Sequence, residues 1–424
     1  MHGSHFSSGA SNDPLYDGAG LAAKGVVVIT INYRLGALGF LAHPELSNSS
    51  GSSSSGNYGL VDQQATLHWT NENIASFGGD PTRITIGGQG AGAGSVLDHL
   101  NSPSAAGLFE QVIAESGARY PSDPLEGSLS QSYRDLHEAE AQGVAFLKRL
   151  NVSTIAEARA LPVAALLAGS SLDDVTYEGT VFQNNSIYRE PPLFRPVLDG
   201  YILPATYQDL LETGDHTIAP VLTGNNKDES GASAHPGFTV DSYTAVNKKD
   251  FGSVGLSREF FELYPAGHNA STADTSSNTF YQDQSRIGTW RWANEYAAGS
   301  YLNTSGNDTL PYPVYSYYFT HAPPGQDEGA YHGSEVNYAF NNLYATDRPW
   351  TSDDYAIADK MSSYWANFLR SGDPNGAGLA KWPENSAKEA VTMELGRRFE
   401  SMPVASSEEK ISFSETWFSK WKVY

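Results

Sequence analysis

The stretch RITIGGQGAGAGSVLDHL, residues 83–100, carries the clearest indication of a fold class. Arg83–Ile86 is typical of a short buried strand, Gly88–Gly92 of a tight turn, and Ala91–Leu100 of a helix. Glycine-rich turns between a strand and a helix also bind dinucleotides, but those proteins place an acidic residue at a strand end about 20 positions later. Glu110 lies near that spacing and precedes a strand instead of ending one, so nucleotide binding is not favoured.

Patterns on both sides of this stretch predict an alternation of strands and helices. Short apolar runs predict strands at Ala22–Tyr33, Gln111–Glu115, Ala219–Thr223 and Val314–Phe319. Helical spacing occurs at Asp62–Ile74, with Ala65, Leu67, Trp69 and Ile74 as its predicted buried face, and at Gly143–Leu150, Ile155–Leu167 and Met361–Leu369. The alternation predicts an α/β fold with a mostly parallel, doubly wound sheet. We expect one domain over residues 1–424, with a helical, cap-like region at about residues 123–300.

Composition excludes several classes of function. The chain has 424 residues, 40% of them apolar, which suffices for a large core. A formal net charge of −22 repels phosphate backbones, so we expect no nucleic-acid partner. Cysteine is absent from the sequence, which excludes thiol catalysis and disulfides. No apolar stretch is long enough to predict a membrane span, and Met1–Phe6 lacks the pattern of a signal peptide.

Motifs spread along the chain resemble those of the type-B carboxylesterase/lipase family, which includes cholinesterases and fungal lipases. They include Asn57–Gln63 (NYGLVDQ), Phe77–Pro81 (FGGDP), Glu115–Gly117 (ESG), Gly224–Glu229 (GNNKDE) and Gly329–Glu335 (GAYHGSE). The resemblance implies an α/β-hydrolase fold. It also implies an apolar or ester-like small-molecule ligand, with neither a metal nor a cofactor.

The resemblance further implies where a catalytic triad lies. In this family a serine in the turn attacks the ester carbonyl, a histidine accepts and returns the proton, and a buried glutamate orients the histidine. By motif, Glu229 matches the acid and His332 the base, and the order turn, acid, histidine is that of the α/β-hydrolases.

The position of the attacking serine departs from the family pattern. Gly-Glu-Ser-Ala-Gly is replaced by GQGAG at residues 88–92, so Gly90 stands where the nucleophile is expected. Loss of the serine from such a triad costs about 10⁶ in turnover. Because glycine adopts a strained backbone without penalty, the exchange is expected to spare the fold.

The loop that is expected to stabilise negative charge on the ligand also departs from the family pattern. His-Gly-Gly-Gly-Phe in the family corresponds to His2–Phe6, HGSHF in this sequence. The implied oxyanion hole consists of the backbone amides of Ser4, His5 and Ala91, and backbone donors survive a change of side chain.

A gap in the sheet is also expected. Family members carry a strand that leads directly into the oxyanion loop and lies between the strands predicted at Gly25–Tyr33 and Arg83–Ile86. Without it, the two neighbours close up, another segment fills the gap, or the sequence is a piece of a longer one. The third expectation is favoured, and it leaves cellular location open.

Three functions are compatible with these residues. His332 and Glu229 support acid–base chemistry without a nucleophile, such as an elimination, cyclisation or isomerisation. A second interpretation is a catalytically silent protein that binds a ligand or partner. A third is residual ester hydrolysis, with His332 activating water or Ser4 replacing the missing serine. Retention of both triad partners favours the first function over the second.

Overall fold

Parallel strands connected by helices form the framework of the molecule. The computed structural model describes residues 1–124, 134–168, 172–174, 183, 190–303 and 313–420. The strands are β1 (Thr85–Gln89), β2 (Gln111–Glu115), β3 (Arg134–Asp135), β4 (Val197–Leu198), β5 (Val221–Asn226), β6 (Val314–Phe319), β7 (Val391–Leu395) and β8 (Phe399–Pro403).

Helices lie between most of these strands. They are α1 (Ala19–Ala22), α2 (Gly36–Phe40), α3 (Pro44–Ser49), α4 (Tyr58–Asn73), α5 (Ala91–Asn101), α6 (Leu136–Arg149), α7 (Ile155–Arg159), α8 (Val163–Leu167), α9 (Tyr207–Thr213), α10 (Val240–Gly252), α11 (Ser257–Leu263), α12 (Ala270–Asn303), α13 (Val336–Ala339), α14 (Ser352–Ser371) and α15 (Glu408–Phe418). Short 3₁₀ turns occupy Pro14–Tyr16, Ile74–Phe77, Pro103–Ala105 and Leu343–Ala345.

The main sheet brings the carboxyl ends of three strands to one edge. Within the described residues it has six strands in the order β1-β2-β5-β6-β7-β8, all parallel except the antiparallel pair β7 and β8. Gln89 at the end of β1 is in register with Glu115 at the end of β2, and β5 ends beside them at Asn226. The predicted mostly parallel α/β sheet is confirmed, and it places the GQGAG turn at a carboxyl edge, where ligands bind in open α/β folds.

Burial on both faces explains why the central strands are apolar. All residues of β2, β5 and β6 are buried, and helix α5 packs against β1 and β2. A parallel strand covered by helices on both faces has no solvent side, so its sequence does not alternate between polar and apolar residues. The strands predicted at Gln111–Glu115 and Val314–Phe319 therefore have the observed bounds.

The predicted strand at Ala22–Tyr33 is wrong. Helix α1 ends at Ala22, and residues 26–33 form no ladder with the described part of the sheet. Two adjoining cavities of about 320 and 150 Å³ separate this segment from β1, and Val27 and Ile29 are 49% and 39% exposed. A strand needs a neighbour to accept and donate its backbone hydrogen bonds, and within the described residues no strand lies beside this segment. The neighbours do not close up, and no described segment fills the gap.

Helix α4 begins four residues before the predicted helix and buries a different face. Leu67 and Ile74 are buried as predicted, whereas Ala65 is exposed and Trp69 is 46% exposed. The buried positions of α4 include Gln63 and Gln64, whose side-chain amides donate to Ser95 and Ser102 of the neighbouring segment. Because polar residues lie on the buried side of α4, a hydrophobicity pattern does not identify that side.

Candidate active site

The GQGAG turn adopts a sharp bend between β1 and α5. Gly90 has φ 59° and ψ −121°, angles that glycine adopts far more readily than other residues. Its amide donates to the Glu115 carbonyl oxygen at 2.9 Å, and its carbonyl oxygen accepts from the Gly94 amide at 3.0 Å. A Cβ at Gly88 would lie 2.3 Å from the backbone of Gly92, so the turn requires glycine there as well. The predicted strand–turn–helix arrangement is observed.

Glu229 and His332 lie close together at the same edge of the sheet. The two loops that carry them are joined where the Asp228 amide donates to the Ala330 carbonyl oxygen at 3.0 Å. Glu229 Oε2 is 2.7 Å from His332 Nδ1. The Glu229 side chain is 1% exposed and that of His332 is 47% exposed, so the acid is enclosed while the imidazole reaches solvent.

The second oxygen of Glu229 is held by two donors. Glu229 Oε1 accepts from the Asn226 amide at 2.7 Å and from Ser116 Oγ at 3.0 Å. A buried carboxylate with these partners keeps its orientation, which in turn fixes the ring of His332. Ser116 has φ 54°, so the segment after β2 bends to bring its hydroxyl to the acid.

The surroundings of His332 favour its charged form. Partial burial lowers the pKa of His332, but the hydrogen bond that His332 donates to Glu229 and the negative charges of Glu229 and Glu335 outweigh this effect, so the pKa lies above the ordinary value. Glu335 is itself buried, and burial together with the charge of Glu229 raises its pKa. Glu115 lies nearby, accepts from Trp365 Nε1 at 2.8 Å and has a pKa raised by burial and by Glu335.

The imidazole of His332 extends over Gly90. A Cβ built on Gly90 would be 2.9 Å from His332 Nε2, which is closer than such contacts normally are. Gln89 Nε2 also lies 2.9 Å from His332 Nε2. The sequence indicates His332 and Gly90 as matching triad positions, but it gives no sign that the side chain of Gln89 contacts the imidazole.

The predicted oxyanion loop is a left-handed turn. Ser4, His5 and Phe6 have φ of 76°, 54° and 57°, and the Ser7 amide donates to the Ser4 carbonyl oxygen at 3.1 Å. A Cβ on Gly3 would lie 2.6 Å from the Gln89 carbonyl oxygen and 3.5 Å from the Ala91 amide nitrogen, so the loop packs against the GQGAG turn.

One end of this loop is anchored in the core, and the residues before it are exposed to solvent. Phe6 is fully buried and packs on Phe40 at 4.8 Å between ring centroids, whereas Ser4 and His5 are exposed. Although the His5 side chain reaches solvent, desolvation by the protein atoms around it and the positive charge of His332 lower the pKa of His5. The convergence of the Ser4, His5 and Ala91 amides on one ligand atom stays a prediction.

The site is built from side chains and backbone amides. Within the described ranges, no group of three or more His, Asp or Glu side chains has the arrangement of a metal site. In the same part of the chain, no helix combines the length and apolar character needed to cross a bilayer.

Sequence reasoning missed three contributors to the site. Ser116 belongs to the ESG motif, and Glu335 belongs to the GAYHGSE motif, which also contains His332. Their positions in these family motifs are the signal that could have identified them. For Gln89, the only signal was the change from the family's glutamate.

Comparison with known proteins gives one family. The family model described as "Carboxylesterase family" matches residues 1–414. Similar proteins include fumonisin B1 esterase of Sphingopyxis macrogoltabida (32% identity over 90% of this chain and 66% of that protein) and acetylcholinesterase of Bungarus fasciatus (30% over 93% and 64%). Para-nitrobenzyl esterase of Bacillus subtilis (strain 168) is 28% identical over 97% of this chain and 78% of that protein.

A solved structure agrees with these relatives. The structure titled PNB esterase has a TM-score of 0.70 and 28% identity, and the match covers 97% of this chain and 80% of that one. The chain spans slightly less than two thirds of the fumonisin B1 esterase and of the acetylcholinesterase.

Proposed function

This chain belongs to the carboxylesterase family and has its α/β-hydrolase fold, and from that premise we propose that it performs non-hydrolytic acid–base chemistry on an apolar small molecule. The reaction class is an elimination, a cyclisation or an isomerisation. One observation carries the proposal: the Glu229–His332 pair keeps a 2.7 Å contact at the carboxyl edge of the sheet while Gly90 leaves the turn without a nucleophilic side chain.

The geometry supports His332 as the group that moves the proton. In the neutral imidazole, Nδ1–H donates to Glu229 and Nε2 carries the free electron pair. Nε2 takes a proton from the ligand, the electron pair of the broken bond stays on the ligand, and the buried carboxylate stabilises the imidazolium. The proton then returns to another atom of the same ligand or to its leaving group.

The backbone amides proposed to form the oxyanion hole stabilise negative charge in this chemistry, as they would in ester hydrolysis. Negative charge that develops on a ligand oxygen after proton removal is stabilised by the amides of Ser4, His5 and Ala91. Ala91 is the first residue of α5, so the partial positive charge of the helix terminus adds to the same effect.

The first test asks whether Gly90 silences ester hydrolysis. We expect the parent protein to hydrolyse short p-nitrophenyl esters no faster than His332→Ala does, because neither can form an acyl-enzyme. Gly90→Ser restores the nucleophile and is expected to gain at least ~10²-fold. The expected gain falls short of the ~10⁶ that an intact triad contributes, since the imidazole must first move.

The double variant Gly90→Ser/His332→Ala controls for background hydrolysis. It is expected to lose the gained activity. Equal turnover by the parent and Gly90→Ser, abolished in both by His332→Ala, would show that the parent hydrolyses esters without the serine and would overturn the proposal.

The second test detects proton abstraction without knowledge of the product. Apolar hydroxy ketones that bind the protein are incubated in D₂O, and deuterium incorporation at the carbon next to the carbonyl group is followed by NMR. We expect incorporation with the parent and a loss of at least ~10²-fold in His332→Ala, the size typical of a general base. Bound ligands that never exchange in the parent would exclude the proposed chemistry.

The contact between Gln89 and His332 favours silent binding as a second candidate. Gln89 Nε2 lies 2.9 Å from the atom that must accept the proton, so the base is occupied in the ligand-free protein. The deuterium experiment separates the two candidates, because a silent protein binds ligands and exchanges none of their protons.

A further inference from the structure

The Gln89 side chain stands between β1 and the loop of His332. Gln89 is the last residue of β1, is half-buried, and its Nε2 lies 2.9 Å from His332 Nε2. A Cβ on Gly333 would be 3.6 Å from the terminal atoms of this amide, which is ordinary van der Waals contact, so the amide rests against the His332–Gly333 backbone.

The partners of the imidazole determine which nitrogen holds the proton. An ionised carboxylate only accepts hydrogen bonds, so Glu229 holds the proton of His332 on Nδ1. The nitrogen of the Gln89 amide only donates. A donor opposite Nε2 is matched to a bare electron pair and opposes a proton there, because two N–H groups facing each other repel.

The space above Gly90 allows this arrangement. With a side chain at position 90, its Cβ would meet His332 Nε2 at 2.9 Å and the ring would have to withdraw from Gln89. Gln89 and Gly90 therefore act together. The absence of a side chain at Gly90 leaves space for the imidazole of His332, and the amide of Gln89 contacts the imidazole in that position.

We propose that Gln89 is a positioning residue that keeps His332 Nε2 a proton acceptor and reserves this atom for ligands that present an O–H or N–H group. The second half of the inference rests on the proposed function, because it names the substrate class for acid–base chemistry at this site. A ligand donor takes the place of the amide at Nε2, and Nε2 then takes a proton from this group or from the carbon that bears it, with the electron pair of the broken bond staying on the ligand. An ether or ester without a donor has nothing to exchange for the amide.

Other charged groups face His332, so its protonation depends on whether the side chain at position 89 is neutral or charged. Glu229 follows β5, Glu335 precedes α13, and His5 lies on the N-terminal turn. Two carboxyl groups already favour the imidazolium. A third carboxylate at position 89, as in the family pattern, would accept a proton from Nε2 and favour it further.

The decisive experiment reads the protonation of His332 in the ligand-free protein. Long-range ¹H–¹⁵N spectra of the imidazoles are recorded across pH, and the His332 signals are assigned by their loss in His332→Gln. Above its pKa, the parent is expected to show protonated Nδ1 and bare Nε2. Gln89→Glu is expected to raise the pKa of His332 by at least ~1 unit, and Gln89→Ala to increase the mobility of the ring.

Matched variants exclude a general effect of charge or of unfolding. Gln208→Glu adds the same charge on α9 and is expected to leave the His332 titration unchanged, and thermal unfolding checks the fold of every variant. Identical His332 titrations in the parent, Gln89→Ala and Gln89→Glu would overturn the positioning role. Because no turnover is measured, this result is independent of whether the proposed function holds.

The ligand half is tested with benzyl alcohol and benzyl methyl ether, which differ in one donor. We expect the alcohol to shift the His332 Nε2 resonance and the ether to leave it in place. An equal response to both compounds, or a response to neither, would overturn the requirement for a donor.

Discussion

Residue 90 has the backbone angles of a tight turn, but it is a glycine and has no side chain. The consequence reaches two other residues, since the imidazole of His332 extends toward the free space and the amide of Gln89 meets it there. The acid behind the imidazole is unaffected, and Glu229 retains the Asn226 amide and the Ser116 hydroxyl as donors. A glycine at position 90 is therefore compatible with an imidazole that Glu229 holds in a fixed orientation.

The dependence of this base on pH follows from the direction of its pKa. Because the pKa of His332 is raised, the imidazole is protonated over a wider range, and a reaction that needs its free electron pair rises only above that pKa. Glu229→Gln removes the hydrogen-bonded carboxylate and is expected to move this rise to lower pH by ~1 unit, with a maximal rate lowered by ~10²–10⁴. The pH profile of deuterium exchange measures both effects.

Glu328→Gln is the matched control, because it removes an exposed carboxylate from the loop that precedes His332. It is expected to leave the profile in place. A Glu229→Gln profile that rises at the same pH as the parent would contradict the assigned direction.

Sequence motifs predict which residues meet at this site, but not how every side chain is oriented. Gly90, Glu229 and His332 lie in multi-residue motifs whose backbone positions are set by the sheet, so their approach is readable from the sequence. The contact of Gln89 depends on side-chain torsions and on free space above a neighbour. No pattern of residue types specifies either.

Elements with a complete hydrogen-bond environment were predictable, and those that depend on a distant partner were not. β2 and β6 combine apolar runs with burial on both faces and match their predicted bounds. Residues 26–33 have a similar composition but pair with no strand in the described part of the chain, and they form no strand themselves. Helix α12 lies almost entirely in the region predicted to be helical, but its bounds were not predicted, because it buries polar residues, among them Asp283, Gln284 and Ser285, in place of a continuous apolar stripe.

The N-terminal turn is an element whose strain is measurable. Ser4 has φ 76°, in the left-handed region where a Cβ costs about 1–2 kcal/mol, part of which glycine returns as extra entropy of the unfolded chain. Ser4→Gly is therefore expected to raise the free energy of unfolding by up to ~1 kcal/mol in urea titrations. The exposed Ser8 has no positive φ, so Ser8→Gly is expected to lower it by ~0.5 kcal/mol. Equal losses in both variants would show that the turn stores no strain.

At the scale of the whole molecule, β1 leaves one side open at the edge of the sheet formed by the described residues. β1 ends the six-stranded sheet of the described residues, and the groove beside it is lined by Val27, Ile29 and Ile31. An uncovered strand edge next to apolar side chains invites pairing with another chain, which charged residues prevent.

We expect this edge to promote self-association that rises with protein concentration. Ile29→Lys places a charge in the groove and is expected to weaken association by about fivefold, or ~1 kcal/mol, in sedimentation velocity experiments. Val163→Lys is the control, because Val163 on α8 is 57% exposed and does not line the groove. Association that responds equally to both substitutions would indicate a general effect of net charge.

The bare turn at Gly90 also determines how such a protein can be found. Fluorophosphonate reagents identify serine hydrolases in cell extracts by bonding covalently to an activated hydroxyl at this turn. Glycine offers no oxygen for phosphorus to attach, so we expect chemical surveys of this kind to leave the chain unlabelled, although it belongs to the carboxylesterase family and has the same fold. If the proposed function holds, a protein of this type is recognised by the ligands it binds and by the ligand protons it exchanges.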